Sequence, residues 1–145
     1  MNPLAEALKK ALGDTFNYAL KAQYYHWNIE GIHFHSLHGL FGEVYEDAQG
    51  ATDTIAELIR TIDVMSPGHK EAMDVSSIIV NGNIPDARTM AANLEADNNL
   101  VIVSLLSAYK IAEEAGELGV SNALQDRIQT HQKFGWMLRA TAKNG

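Results

Sequence analysis

The chain has 145 residues, 46% of them hydrophobic and 20% charged, with a formal net charge of −7 when histidine is neutral. That is enough for one domain with its own core, and the balance of charge, glycine and proline does not suit disorder. With no cysteine, disulfides and thiolate metal sites are excluded; no apolar run approaches the ~18 residues of a membrane span, and an acidic surface repels phosphate backbones while attracting cations.

The opening, "MNPLAEALKKALGDTFNYAL", reads as an amphipathic helix and lacks the apolar region and cleavage site of a signal peptide. Asn2 is placed to cap it, with Pro3 in the first turn where a missing N–H costs nothing. Leu4, Leu8, Leu12, Phe16, Ala19, Gln23 and His26 form its stripe, and Asn28 and Gly31 end it. A second stripe runs through Leu37, Phe41, Val44, Ala48, Ala51, Ile55, Leu58 and Ile62, until Pro67 and Gly68 break it. A short helix is expected over 70–79, followed by a loop at Asn81, Gly82 and Pro85. The third long helix carries Ala91, Leu94, Asn98, Val101, Leu105, Ala108 and Ala112 on one face, and Gly116 and Gly119 stop it. Ser121 is placed to cap a fourth, with Leu124, Ile128, His131 and Leu138.

These patterns predict helices at about 3–29, 35–63, 70–79, 86–116 and 121–142 in a single domain over 1–145. Hairpin, long crossover and hairpin is the all-α, ferritin-like four-helix bundle with one long connection. No strand pattern or repeat is present.

Four of the six histidines fall within residues 26–38. Asp53 and Glu57, four residues apart, share one face of the second helix. His38 lies fifteen residues before Asp53, within about 60° of it around the axis but ~22 Å away along it. One helix therefore cannot bring them to one ion. They are unrelated features, or a second chain carries its Asp53 and Glu57 to His26 and His38 of the first. Taken singly, each is ordinary: acidic pairs are common on solvated faces, and a histidine closing an apolar stripe is commonly a hydrogen-bonded core residue. Glu30 and His33 have the E-x-x-H spacing of di-iron bundles but straddle Gly31 in a turn. His69 and His131 have no partner at ligand spacing.

Together, "HWNIEG" (26–31), "FHSLHGLF" (34–41), "DTIAELI" (53–59) and "HQKFGWMLRA" (131–140) resemble the Dps family, the DNA-protection-during-starvation branch of the ferritin superfamily. The resemblance spans essentially the whole chain. It implies a hollow dodecamer that stores iron, with ferroxidase sites at two-fold subunit interfaces. His26 and His38 match the histidine ligands of one subunit, Asp53 and Glu57 the carboxylates of its neighbour, and Trp27 the tryptophan beside the site. Imidazole and carboxylate together bind Fe(II) and leave room for an oxidant, and zinc competes for such a donor set. In the family the oxidant is preferentially hydrogen peroxide rather than oxygen, and ferric product mineralises in the cavity.

Two positions depart from the pattern. Gly42 stands where the family usually has an aspartate bridging two irons, and a helix-interior glycine costs ~1 kcal/mol relative to alanine. One metal position is then weaker, or Glu46 or His35 substitutes, or ferroxidase activity is lost and the shell binds another metal or has a structural role. Secondly, the lysine-rich tails through which family members often bind DNA have no counterpart: Lys9 and Lys10 lie inside a helix pattern, and the C-terminal segment adds only Arg139 and Lys143. Twelve subunits would carry 12 × −7 = −84 formal charges, so DNA binding is not expected and the cytoplasm is the expected location, with nucleoid association only if DNA binding is real. The family's acidic pores fall near Glu113, Glu114, Glu117 and Asp126, although Leu118 and Asn122 occupy positions where acids are common.

Overall fold

A computed structural model describes residues 2–80 and 82–143, and within them all regular secondary structure is helical. Its elements are α1 (Pro3–Asn28), α2 (Phe34–Thr61), α3 (His69–Asp74), α4 (Ala87–Ala115) and α5 (Leu118–Ala142). α1 packs along α2 and α4, α4 along α5, and α3 rides on α1 in the crossover; α2 and α5 meet only sparsely. This is the ferritin-like bundle with its long connection between the second and third long helices.

Caps set the start of α1 and both ends of α4. The Asn2 side chain accepts the Ala5 N–H at 3.1 Å, and Asp86 accepts the Thr89 N–H at 2.9 Å, each satisfying a donor that the first turn leaves free. Gly116, at φ 71°, closes α4 in the left-handed region. Gly119 stops nothing: it lies inside α5, which begins at Leu118 rather than at Ser121. Ser121 is buried, and its hydroxyl donates back to the Leu118 carbonyl at 3.2 Å instead of capping.

The expected stripes on α2 and α4 line the core, with Leu58 and Ile62 only half-buried. On α1 the stripe drifts. Beyond Leu12 the buried positions are Gly13, Asp14, Thr15, Tyr18, Ala19, Ala22 and Tyr25, leaving Phe16, Gln23 and His26 half-buried at its edge. Steps of four turn 400°, so a run of them walks around the helix unless steps of three intervene.

The short helix ends at Asp74, well before residue 79, because Asp14 captures the next residues. Fully buried on α1, Asp14 accepts the Ser76 hydroxyl at 2.6 Å, the Ser77 N–H at 2.8 Å and the Lys10 ammonium at 2.7 Å. Asn17 donates to the Met73 and Ile78 carbonyls. Gly13 makes this docking possible, since a Cβ there would lie 2.0 Å from the Ala72 carbonyl oxygen. Gly82 and Pro85 lie in irregular chain as expected; Asn81 is outside the described residues.

Candidate metal centre

The centre of the bundle is the first place to look for a ferritin-like metal site, and here it is filled by its own charges. Arg127 makes two bonds to Asp47, at 3.1 and 2.7 Å, and lies 2.8 Å from His131 Nε2. A guanidinium can only donate, so this nitrogen accepts and Nδ1 carries the proton, which it gives to Asn98 Oδ1 at 2.9 Å. Asn98 in turn donates to the His131 carbonyl at 2.7 Å. With its lone pair engaged and a cation beside it, buried His131 is no ligand; burial and the Arg127 charge push its pKa from 6.5 down to about 3. Nearby, Lys21 pairs with Asp97 at 2.6 Å, and burial raises the Asp97 carboxyl above its usual range despite that partner. The signal for this network was an uncharged polar side chain on one apolar stripe, Asn98, and a histidine on another, His131.

The opposite arrangement occurs at the α1–α2 hairpin. His26 is on the last turn of α1 and His38 is near the start of α2, brought together by a tight turn in which Gly31 has φ 104°. Their rings stack, with centroids 3.8 Å apart and planes inclined by 14°; Phe34 also stacks with His38, at 5.0 Å. His26 Nδ1 donates to the His38 carbonyl at 2.6 Å, and His38 Nδ1 donates to the His26 carbonyl at 2.7 Å. Because a carbonyl can only accept, each ring carries a proton on Nδ1, so in the neutral ring the lone pair is on Nε2, which makes no hydrogen bond among the described residues. A backbone carbonyl on the remote nitrogen is the usual support of a metal-binding histidine.

The stack also limits what it can hold. Planes inclined so slightly do not converge within coordination reach, so in-plane lone pairs cannot both meet one ion at ~2.1 Å. As posed, each ring suits its own ion.

Asp53 and Glu57 lie exposed on adjacent turns of α2. The histidines are near the other end of that helix. Among the described residues, no three His, Cys, Asp or Glu side chains come together to hold a metal ion. Glu46 is exposed, two turns along α2 from His38, and His35 is exposed in the first turn of that helix. His33 caps α2 without a side-chain bond, Glu30 lies in the turn, and the His69 ring meets Phe16 at 5.1 Å with its plane tilted by 44°. Glu113, Glu114, Glu117 and Asp126 are exposed around the α4–α5 turn, where Tyr109 donates to Glu113 at 3.3 Å.

Large apolar side chains surround the histidine pair in the open. Trp27 is 63% exposed and Ile32 95%. Close to the same end of the bundle, Trp136, 58% exposed, borders a cleft of about 670 Å³ with Leu37, Leu40 and Met137.

Residues 5–145 match the family model described as a ferritin-like domain. A low-temperature-induced, uncharacterised protein of Nostoc sp. is 31% identical over 136 residues, covering 92% of this chain and 76% of its own. DNA protection during starvation protein 2 of Bacillus anthracis is 29% identical, with 93% of each chain covered. Among solved structures, a Dps protein from Vibrio cholerae O1, described as a member of a broad superfamily of ferritin-like diiron-carboxylate proteins, superposes with a TM-score of 0.90 at 29% identity, covering 97% of this chain and 89% of that one. With its bundle core closed to metal and its histidine pair on the first hairpin, this chain belongs to the ferritin-like family and, within it, to the Dps proteins.

Proposed function

We propose that this protein is a Dps-type iron-storage and detoxification shell, a homododecamer that binds Fe(II) between subunits, oxidises it and retains the ferric product. The observation that carries the reading is the pair of carbonyl-locked imidazoles with free Nε2 atoms. His26 and His38 of one subunit supply neutral nitrogen donors, and Asp53 and Glu57 of its neighbour supply the negative charge that Fe(II) requires. Membership of the ferritin-like family and the incompleteness of the ligand set within one chain support this. So do exposed Trp27 and Ile32, which a neighbouring subunit would remove from water.

Iron is the substrate, and each Fe(II) gives up one electron. With hydrogen peroxide as oxidant, two Fe(II) reduce one peroxide: the O–O bond breaks, two protons are taken up, and two waters leave with no hydroxyl radical released. The ferric ions then hydrolyse to mineral in the cavity, with acidic turns near Glu113, Glu114, Glu117 and Asp126 as the entry route for cations.

Gly42 favours a second reading, a shell of the same build that holds a metal such as zinc or has a structural role, with little or no oxidation, because it brings no ligand. Anaerobic Fe(II) loading of the purified shell, followed by peroxide, separates the two. Rapid ferric absorbance at two irons per peroxide, blocked by prior Zn(II), is the expected result. Iron that stays ferrous in a shell of about 190 kDa (12 × 15.9 kDa) supports the second reading, and a chain that elutes as a monomer overturns both.

A further inference from the structure

Gly42 is one helical turn beyond His38 and is buried. A Cβ built on it would lie 2.9 Å from His26 Cε1 and 3.0 Å from His26 Nδ1, well inside the ~3.5 Å at which carbon atoms begin to repel. The His26 ring has little room to withdraw. The His38 ring stacks on it at 3.8 Å, and its Nδ1–H is tied to the His38 carbonyl at 2.6 Å. By contrast, a Cβ at Gly39 or Gly50 on the same helix would meet nothing within 4 Å. Only one of the three glycines of α2 is therefore occupied by a neighbour's side chain.

We propose that Gly42 is a positioning residue for the histidine pair: the space left by its missing side chain is the seat of the His26 imidazole, and that seat keeps the stack and its two free Nε2 atoms in place. The metal-binding part of this rests on the function proposed above. A carboxylate at position 42 and His26 in this pose exclude one another. The chain thus has a rigid imidazole pair where a ligand of its own would otherwise stand, and its anionic ligands come only from the neighbour. A glycine kept merely through loss of a ligand behaves oppositely, since alanine in its place would favour the helix and leave the ring unmoved.

The test uses the full assembled protein, with Co(II) as probe read by its visible absorption, together with crystal structures of the metal-free forms. Gly42→Ala is expected to weaken Co(II) binding roughly ten- to hundredfold, the range typical for loss of a ligand's support, and to lift the His26 ring off the His38 carbonyl. Gly50→Ala, which makes the same helix change in open space, is expected to bind as wild type. Gly42→Asp is expected to bind more weakly than wild type despite its added carboxylate. Unchanged Co(II) affinity in Gly42→Ala, an unmoved stack in its crystal structure, or tighter binding by Gly42→Asp overturns the inference. If wild type itself takes up no Co(II), the function reading fails, and the metal-free Gly42→Ala structure still decides whether Gly42 seats the ring. Should Gly42→Ala not assemble, the double variant His26→Ala/Gly42→Ala decides: assembly restored by removing the ring upholds the seat, and continued failure contradicts it.

Discussion

His131 and His26 each donate from Nδ1, yet the two rings are left with opposite chemistry at Nε2. Arg127 donates to the Nε2 of His131, whereas the carbonyl partners of His26 and His38 leave that atom free. A neutral histidine buried against a guanidinium also makes stability depend on pH. Its folded pKa, about 3, lies below the 6.5 of an unfolded chain, so the unfolded state takes up the proton first. The contribution of neutral His131 is complete above pH 6.5 and is lost as pH falls toward 3. Asp97 acts in the other direction, because burial raises its carboxyl and acidification relieves that penalty. The unfolding midpoint of the wild type is expected to fall across this window and that of His131→Gln to fall less steeply; parallel pH profiles for the two would refute the assignment. The pairing of His26 with His38 was foreseeable from their places at either end of a short turn. The role of Gly42 was not, because a one-dimensional pattern records the missing carboxylate but not the ring that lies over the backbone there.

At the scale of helices, the crossover is pinned to α1 by a steric vacancy and a buried carboxylate. Alanine at Gly13 would push a Cβ against the Ala72 carbonyl, a rigid backbone atom. Gly13→Ala is therefore expected to destabilise by ~1–3 kcal/mol, the usual cost of overpacking, although alanine favours helix; urea unfolding that gives equal or greater stability would count against it. Much of the helical architecture could be read from periodicity, and the α4 stripe from Ala91 to Ala112 is wholly buried. What could not be read depended on partners distant in sequence. The end of α3 is set by Asp14, sixty-two residues before Ser76. The start of α5 was misplaced because Ser121 has a capping residue's chemistry but spends its hydroxyl inside the helix.

For the whole molecule, the account joins an incomplete site to an incomplete surface: the histidines lack anionic partners where Trp27 and Ile32 lack cover. Net charge sets the other expectation at this scale. With −7 formal charges on the 145 residues, the shell is expected to give no tight complex with duplex DNA in a gel shift at ~0.15 M salt; a firm band would show a cationic surface that the described residues do not suggest. The most direct test of the central claim is complementation within mixed shells. One chain carries His26→Ala and His38→Ala, the other Asp53→Ala and Glu57→Ala, and each alone is expected to show no high-affinity Fe(II) oxidation. In a two-fold pair, half of random pairings are mixed, and each mixed pair rebuilds one site of two, so about a quarter of the wild-type sites return. Peroxide-driven Fe(II) oxidation at about a quarter of the wild-type capacity, in shells shown by two affinity tags to contain both chains, is the predicted result. No recovery in such shells, or full activity in either parent, would contradict it.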